Sequence, residues 1–177
     1  MGARTARSER CVRRVVVSDT GPLLHLTEAA SIHLLEPIGE VHILRMVDQE
    51  MRHHEASWSS TKPHWIKLTP LVEPHATEAQ AWHQAGLLDA GEAEAIALAR
   101  QLRADWLLTD DAAARLLAGS LGLEAHGSLG VVLWAAAIRH LTRVEAEAAL
   151  DDLANSSLWI SARVLAEAKA ALDQLFS

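Results

Sequence analysis

A single cysteine, Cys11, stands in 177 residues, so no disulfide can form within the chain and a packed core must hold the fold. Tyrosine is absent and phenylalanine occurs once, although tryptophan occurs six times. No apolar run approaches the ~18 residues that span a bilayer, which argues against a membrane helix. The valines at 15–17 are cut short by Ser18 and Asp19, so the basic start does not lead into the apolar stretch of a signal peptide. A reducing, cytoplasmic setting with no membrane partner is the expectation. Positive charge is also scarce: 16 Lys and Arg stand against 23 Asp and Glu, for a net charge of −7. At first sight that disfavours a nucleic-acid partner, but the sign is unevenly spread and the total charge alone decides nothing. Five of those cations, Arg4, Arg7, Arg10, Arg13 and Arg14, fall in the first 14 residues. Residues 1–11 read as a basic, disordered tail, and residues 12–177 as one domain. An apolar content of 50% and a charged content of 22% suit a domain of this length.

There is no internal repeat and no low-complexity segment. Short β-branched or apolar runs predict strands over Val12–Ser18, Val41–Leu44, Trp65–Leu68 (an edge strand), Asp105–Thr109 and Glu124–His126. Helices are predicted between and after them: from Pro22 towards Leu35 with a break near Ser31, then Arg45–His54, Thr77–Ala85 and Ala90–Arg103 behind Asp89. Asp111–Leu121, Leu129–Arg139, Glu145–Leu153 behind the capping box Thr142-x-x-Glu145, and Ala162–Leu175 behind Ser161 complete the set. Glu55–His64, rich in serine, reads as a loop. Strands alternating with helices imply βαβ units, hence an α/β fold around a central parallel sheet. In such sheets ligands gather where the strands end.

Acids stand at those ends. Asp19 follows the first strand, and Asp110 and Asp111 follow the fourth. Glu92 and Glu94 lie in the first turns of a helix, and Glu50 lies in the helix after the second strand. Carboxylates from distant parts of the chain can meet in one pocket there, and oxygen-rich sites of this kind suit Mg2+ or Mn2+. A cation is the natural reason to gather like charges, and it can activate a water for attack on a phosphodiester. Each acid also has a plainer explanation. Asp19 and Asp111 are placed to cap the helices behind them, and Glu92 and Glu94 suit a helix N-terminus. Glu50 stands among Asp48, Arg52 and His53, as on a solvated face. At about 100° per residue Glu92 and Glu94 diverge. Glu92 shares the stripe of Ile96 and Ala99 and is the favoured ligand of the two.

Four stretches resemble the PIN domain, and within it the bacterial PIN-like branch related to VapC toxins. They are Val15-Val-Val-Ser-Asp-Thr-Gly-Pro-Leu-Leu24, Val47-x-x-Glu50, Asp89-Ala-Gly-Glu-Ala-Glu-Ala-Ile-Ala-Leu-Ala99, and Leu107-Leu-Thr-Asp-Asp-x-x-x-Arg115 followed by Gly127-Ser-Leu-Gly-Val-Val-Leu133. The resemblance implies a three-layer α/β/α sandwich and Mg2+- or Mn2+-dependent cleavage of single-stranded RNA. It further implies a toxin opposed by a small antitoxin protein, and a homodimer. Asp19, Glu50, Glu92 and Asp110 would be the catalytic acids, with Asp19, Glu92 and Asp110 as metal ligands. The branch selects Asp110, whereas the Thr-x-Asp pattern of PIN nucleases more broadly selects Asp111, so both stay open as ligands. Thr20, beside the first acid, and Arg115 would contact substrate; Arg115 lies one turn beyond Asp111 and can equally pair with it.

Among the tryptophans, Trp58 in the polar loop is placed to stack on a base of single-stranded RNA. Trp65, Trp82, Trp106, Trp134 and Trp159 read as core or interface residues. The helix after Gly130 is apolar nearly all round and must be buried in the core or against another subunit. His126 sits near a strand end, as an ordinary loop histidine or facing the pocket. A PIN fold that binds RNA or protein without cutting is the alternative. A phosphohydrolase of small molecules lacks support, since no glycine-rich phosphate loop is present.

Overall fold

Val16 and Val17 are fully buried in β1 (Arg14–Ser18), the middle strand of the sheet. The computed structural model describes residues 13–177, so the basic segment 1–11 lies outside the described residues. Four further strands follow: β2 (Gly39–Ile43), β3 (Ile66–Leu68), β4 (Trp106–Leu108) and β5 (Ala125–His126). All pair in parallel, in the order β3-β2-β1-β4-β5. β3 lies at an edge, as predicted. The chain steps from β1 outwards through β2 to β3, then returns to lay β4 on the other side of β1. The order of connection thus reverses between β1 and β4, and a crevice opens above their carboxyl ends. Ser18 pairs with Leu108 there, so Asp19 and Asp110 leave the sheet side by side.

The helices among the described residues are α1 (Thr20–Glu28), α2 (Arg45–His54), α3 (Trp58–Thr61), α4 (His75–Gln84), α5 (Ala90–Leu102), α6 (Ala112–Ser120), α7 (Ser128–Ala137), α8 (Arg143–Ala154) and α9 (Ala162–Leu175). On one face α1, α7, α8 and α9 pack together, with α2 against α1; on the other α4, α5 and α6 do so. The sheet between them is covered on both sides, and its inner strands β1 and β4 carry continuous buried runs, whereas β2 alternates. The result is a three-layer α/β/α sandwich. Local chemistry sets the helix ends. Thr142 and Glu145 form the expected capping box of α8, and the Ser161 side chain accepts from Val164 N–H at the start of α9.

Three expectations need correction. The helix after β1 begins at Thr20, with Asp19 as its cap, and Pro22 sits in its first turn, where its missing N–H has no intrahelical partner to lose. It stops at Glu28, and a 3-10 turn, Ile32–Leu35, follows Ser31. Second, Glu55–His64 is not a plain loop, because it contains α3. Third, Trp58 is 1% exposed and cannot stack on RNA. Its indole Nε1–H donates to Asp48 at 3.0 Å, and Arg52 and Lys62 pair with the same buried carboxylate. The polar residues around Trp58 satisfy a buried charge rather than face water. Trp106 is buried, and Trp65, Trp82 and Trp134 pack against the core; Trp159 is 85% exposed and is no core residue. The apolar helix α7 is buried against α8 and α9.

Candidate active site

Asp19 N–H donates to the carbonyl of Leu108 at 2.9 Å, which ties the residue after β1 to the end of β4. Its carboxylate accepts from Thr20 N–H at 2.8 Å, so it caps α1 as well as facing the crevice. The Thr20 hydroxyl donates to Glu50 Oε2, which brings the second acid over from α2. Burial pushes the Asp19 carboxyl from its ordinary 3.8 up to about 6. The charges of Glu92, Glu50 and Asp110 add to that rise, and the Thr20 N–H opposes it. Three acids distant in sequence therefore act on the Asp19 carboxyl.

Asp110 is held most firmly. Ser128 donates to it twice, from its N–H to Oδ1 and from its hydroxyl to Oδ2, each at 2.6 Å, and His25 Nδ1 lies 2.7 Å from Oδ2. Burial alone would raise this carboxyl, but His25 and Ser128 together outweigh it and hold Asp110 below the ordinary range. Gly127 makes that cradle possible, since a Cβ there would stand 2.8 Å from Asp110 Oδ1, closer than such atoms come.

Glu92 serves two neighbourhoods. Asp89 N–H donates to its Oε2 at 3.1 Å, one arm of a capping box that starts α5. Burial raises its pKa, and the charges of Asp111 and Asp89 raise it further. Glu94 faces elsewhere, into a cavity lined by Leu44, Arg45, Pro70 and Leu71. The helix is thus rotated so that Glu92, not Glu94, lies near Asp19. Asp111 caps α6, its Oδ1 accepting from Ala114 N–H at 2.7 Å, and it lines a cavity of about 360 Å3 with Asp89 and Glu92. Arg115 does not pair with Asp111; its guanidinium donates to the Thr109 carbonyl at 3.1 Å. The His126 ring packs tilted against Trp106, centroids 4.1 Å apart, and bonds to Glu124 at 2.8 Å.

Among the described residues no three His, Cys, Asp or Glu side chains close onto one point at metal-ligand spacing. Each acid instead meets a local donor: Thr20 for Asp19 and Glu50, Asp89 for Glu92, His25 and Ser128 for Asp110. The donor set still fits a hard divalent cation. It is all oxygen, and the raised Asp19 carboxyl marks a negative charge that a cation would relieve. His25 and Ser128 went unread in the sequence. The signal for His25 was a lone polar residue between Leu24 and Leu26, one turn beyond Gly21.

A doubly wound parallel sheet with carboxylates gathered at its switch point defines the class. The PIN domain family matches residues 15–174 of this chain. The chain belongs to the PIN domain family. PIN domains are generally nucleases and typically use divalent metals. No curated protein and no solved structure matches the chain.

Proposed function

We propose that this chain is a divalent-metal-dependent endoribonuclease that cuts single-stranded RNA, acting as the toxin of a toxin–antitoxin pair. One observation carries the reading: the charges of Glu92, Glu50 and Asp110 all act on the buried Asp19 carboxyl, which burial above all drives up to about 6. Asp19, Glu92 and Asp110 would hold Mg2+ or Mn2+, with Asp111 at the margin. When bound, the cation supplies charge neutralisation at the phosphate and a water of lowered pKa. Glu50, fixed by the Thr20 hydroxyl, is placed to accept a proton from the attacking water. Arg115, at the same edge of the sheet, offers planar donors to a phosphate oxygen. His25 and Ser128 hold Asp110 in place and leave one lone pair of its Oδ1 free for a ligand.

The alternative is a PIN fold that binds RNA or protein without cutting. The engagement of each acid by a local donor favours it, since none is left bare. Incubation of the purified protein with single-stranded RNA and Mn2+ separates the two. Cleavage that stops on chelation supports the nuclease, with duplex RNA resisting because its A-form backbone is rigid. Binding without cleavage supports the alternative. The toxin role predicts growth arrest on expression, relieved by a small antitoxin protein. Arrest that persists when Asp110 is replaced by Asn would sever toxicity from this site.

A further inference from the structure

The segment between α8 and α9 alternates in exposure. Leu158 and Ile160 turn in to pack on the core, and Trp159 between them turns out, 85% exposed. The segment is pinned. Ser157 donates to Glu28 Oε2 from both its N–H and its hydroxyl, each at 2.7 Å, and Leu158 N–H donates to the Ser156 hydroxyl at 3.1 Å. A large aromatic is thus displayed on a fixed strap.

Trp159 lines a cavity of about 370 Å3 whose other walls include Asp110, Arg115, Gly127 and Leu129. Asp110, one of the acids whose charge acts on Asp19, lines this cavity. Its lining combines a cation, Arg115, and an acid, Asp110, with an indole and the apolar side chains of Leu158, Ile160 and Val164. That combination matches a nucleotide. Phosphate meets the guanidinium and the acid site, and the base meets the aromatic face. A volume in the range of ligand pockets, roughly 300–1,000 Å3, admits one base with its sugar.

We propose that this cavity is a nucleobase subsite, in which Trp159 stacks on the base next to the phosphate held at the carboxylates. The inference rests on the ribonuclease reading and names where its substrate is gripped. Stacking is tolerant of base identity, so the subsite selects unstacked, single-stranded RNA over duplex rather than one sequence.

The test uses the full chain carrying Glu50→Gln, which removes the proposed proton acceptor and keeps the three proposed metal ligands, and short single-stranded RNAs labelled for anisotropy in Mg2+. Trp159→Ala should weaken binding at least about fivefold, the low end for one base–aromatic stack, and Trp159→Phe should keep most of the affinity. An abasic residue walked along the RNA should cost affinity at one position with Trp159 present, and nothing further there in Trp159→Ala. RNA binding that is indifferent to both substitutions overturns the subsite while leaving the nuclease reading intact. Trp159-dependent binding by a parent chain that never cuts leaves the subsite standing and removes the nuclease. Failure to bind RNA at all removes both. Sedimentation that shows a dimer dissociating in Trp159→Ala, without base-dependent loss, assigns the tryptophan to a second copy of the chain and overturns the proposal.

Discussion

Asp19 sets the behaviour of the site. Its carboxyl titrates near 3.8 when unfolded and near 6 when folded. The folded chain therefore binds more protons between those values. Stability contributed by Asp19 is fully present below the lower value and is lost as pH rises through the upper one, by about 3 kcal/mol in all. In chelator at pH 7, Asp19→Asn should melt above the parent, because Asn keeps an acceptor for Thr20 N–H and sheds the buried charge. The gap should close towards pH 4, and a gap that ignores pH would refute the assignment. Glu92→Gln should weaken Mn2+ binding at least about tenfold, the usual scale for a lost contact of ~1.4 kcal/mol. Glu94→Gln should barely change it, since Glu94 opens into a different cavity. Calorimetry that ranks them in reverse would place the wrong acid in the crevice. Gly127→Ala crowds Asp110 Oδ1 and should destabilise by about 1–3 kcal/mol.

Elements were the most legible level. The valines of β1, the box at Thr142 and Ser161, and the alternation of short apolar runs with longer helices all named the right pieces in the right order. Their ends shifted because backbone pairing, not composition, fixes a strand: β4 shrinks to Trp106–Leu108 since only those residues find partners on β1. The layers and the Asp19–Asp110 neighbourhood followed from the element order. Trp58 did not. Its serine-rich surroundings suggest solvent, and nothing local says that Asp48, ten residues earlier, is buried and needs a donor. Nor could the capping duty of Glu92 be separated from a ligand role, because an acid at that position of Asp89-x-x-Glu92 suits either. Trp58→Phe should cost about 1–3 kcal/mol in a denaturant melt by leaving Asp48 one donor short. RNA affinity should be unchanged in that variant. A loss of affinity in a folded variant would reopen the surface role that its burial excludes.

At the scale of the whole molecule the problem is charge. A chain of net charge −7 attracts RNA poorly unless the field near the crevice is reversed locally. A divalent cation and Arg115 would supply that reversal, touching one or two phosphates between them. RNA affinity should therefore depend weakly on salt, with a slope of roughly −0.7 to −1.4 in log K against log salt for single strands. A slope several times steeper would mean an extended basic surface instead. The acid cluster itself is the claim on which the rest depends, and titration of Mn2+ into the chelator-treated protein by calorimetry tests it most directly. Saturable binding that raises the melting temperature and is lost in both Asp19→Asn and Asp110→Asn is the expected result. Binding of equal strength in the parent and both variants would show that these carboxylates do not form a cation site.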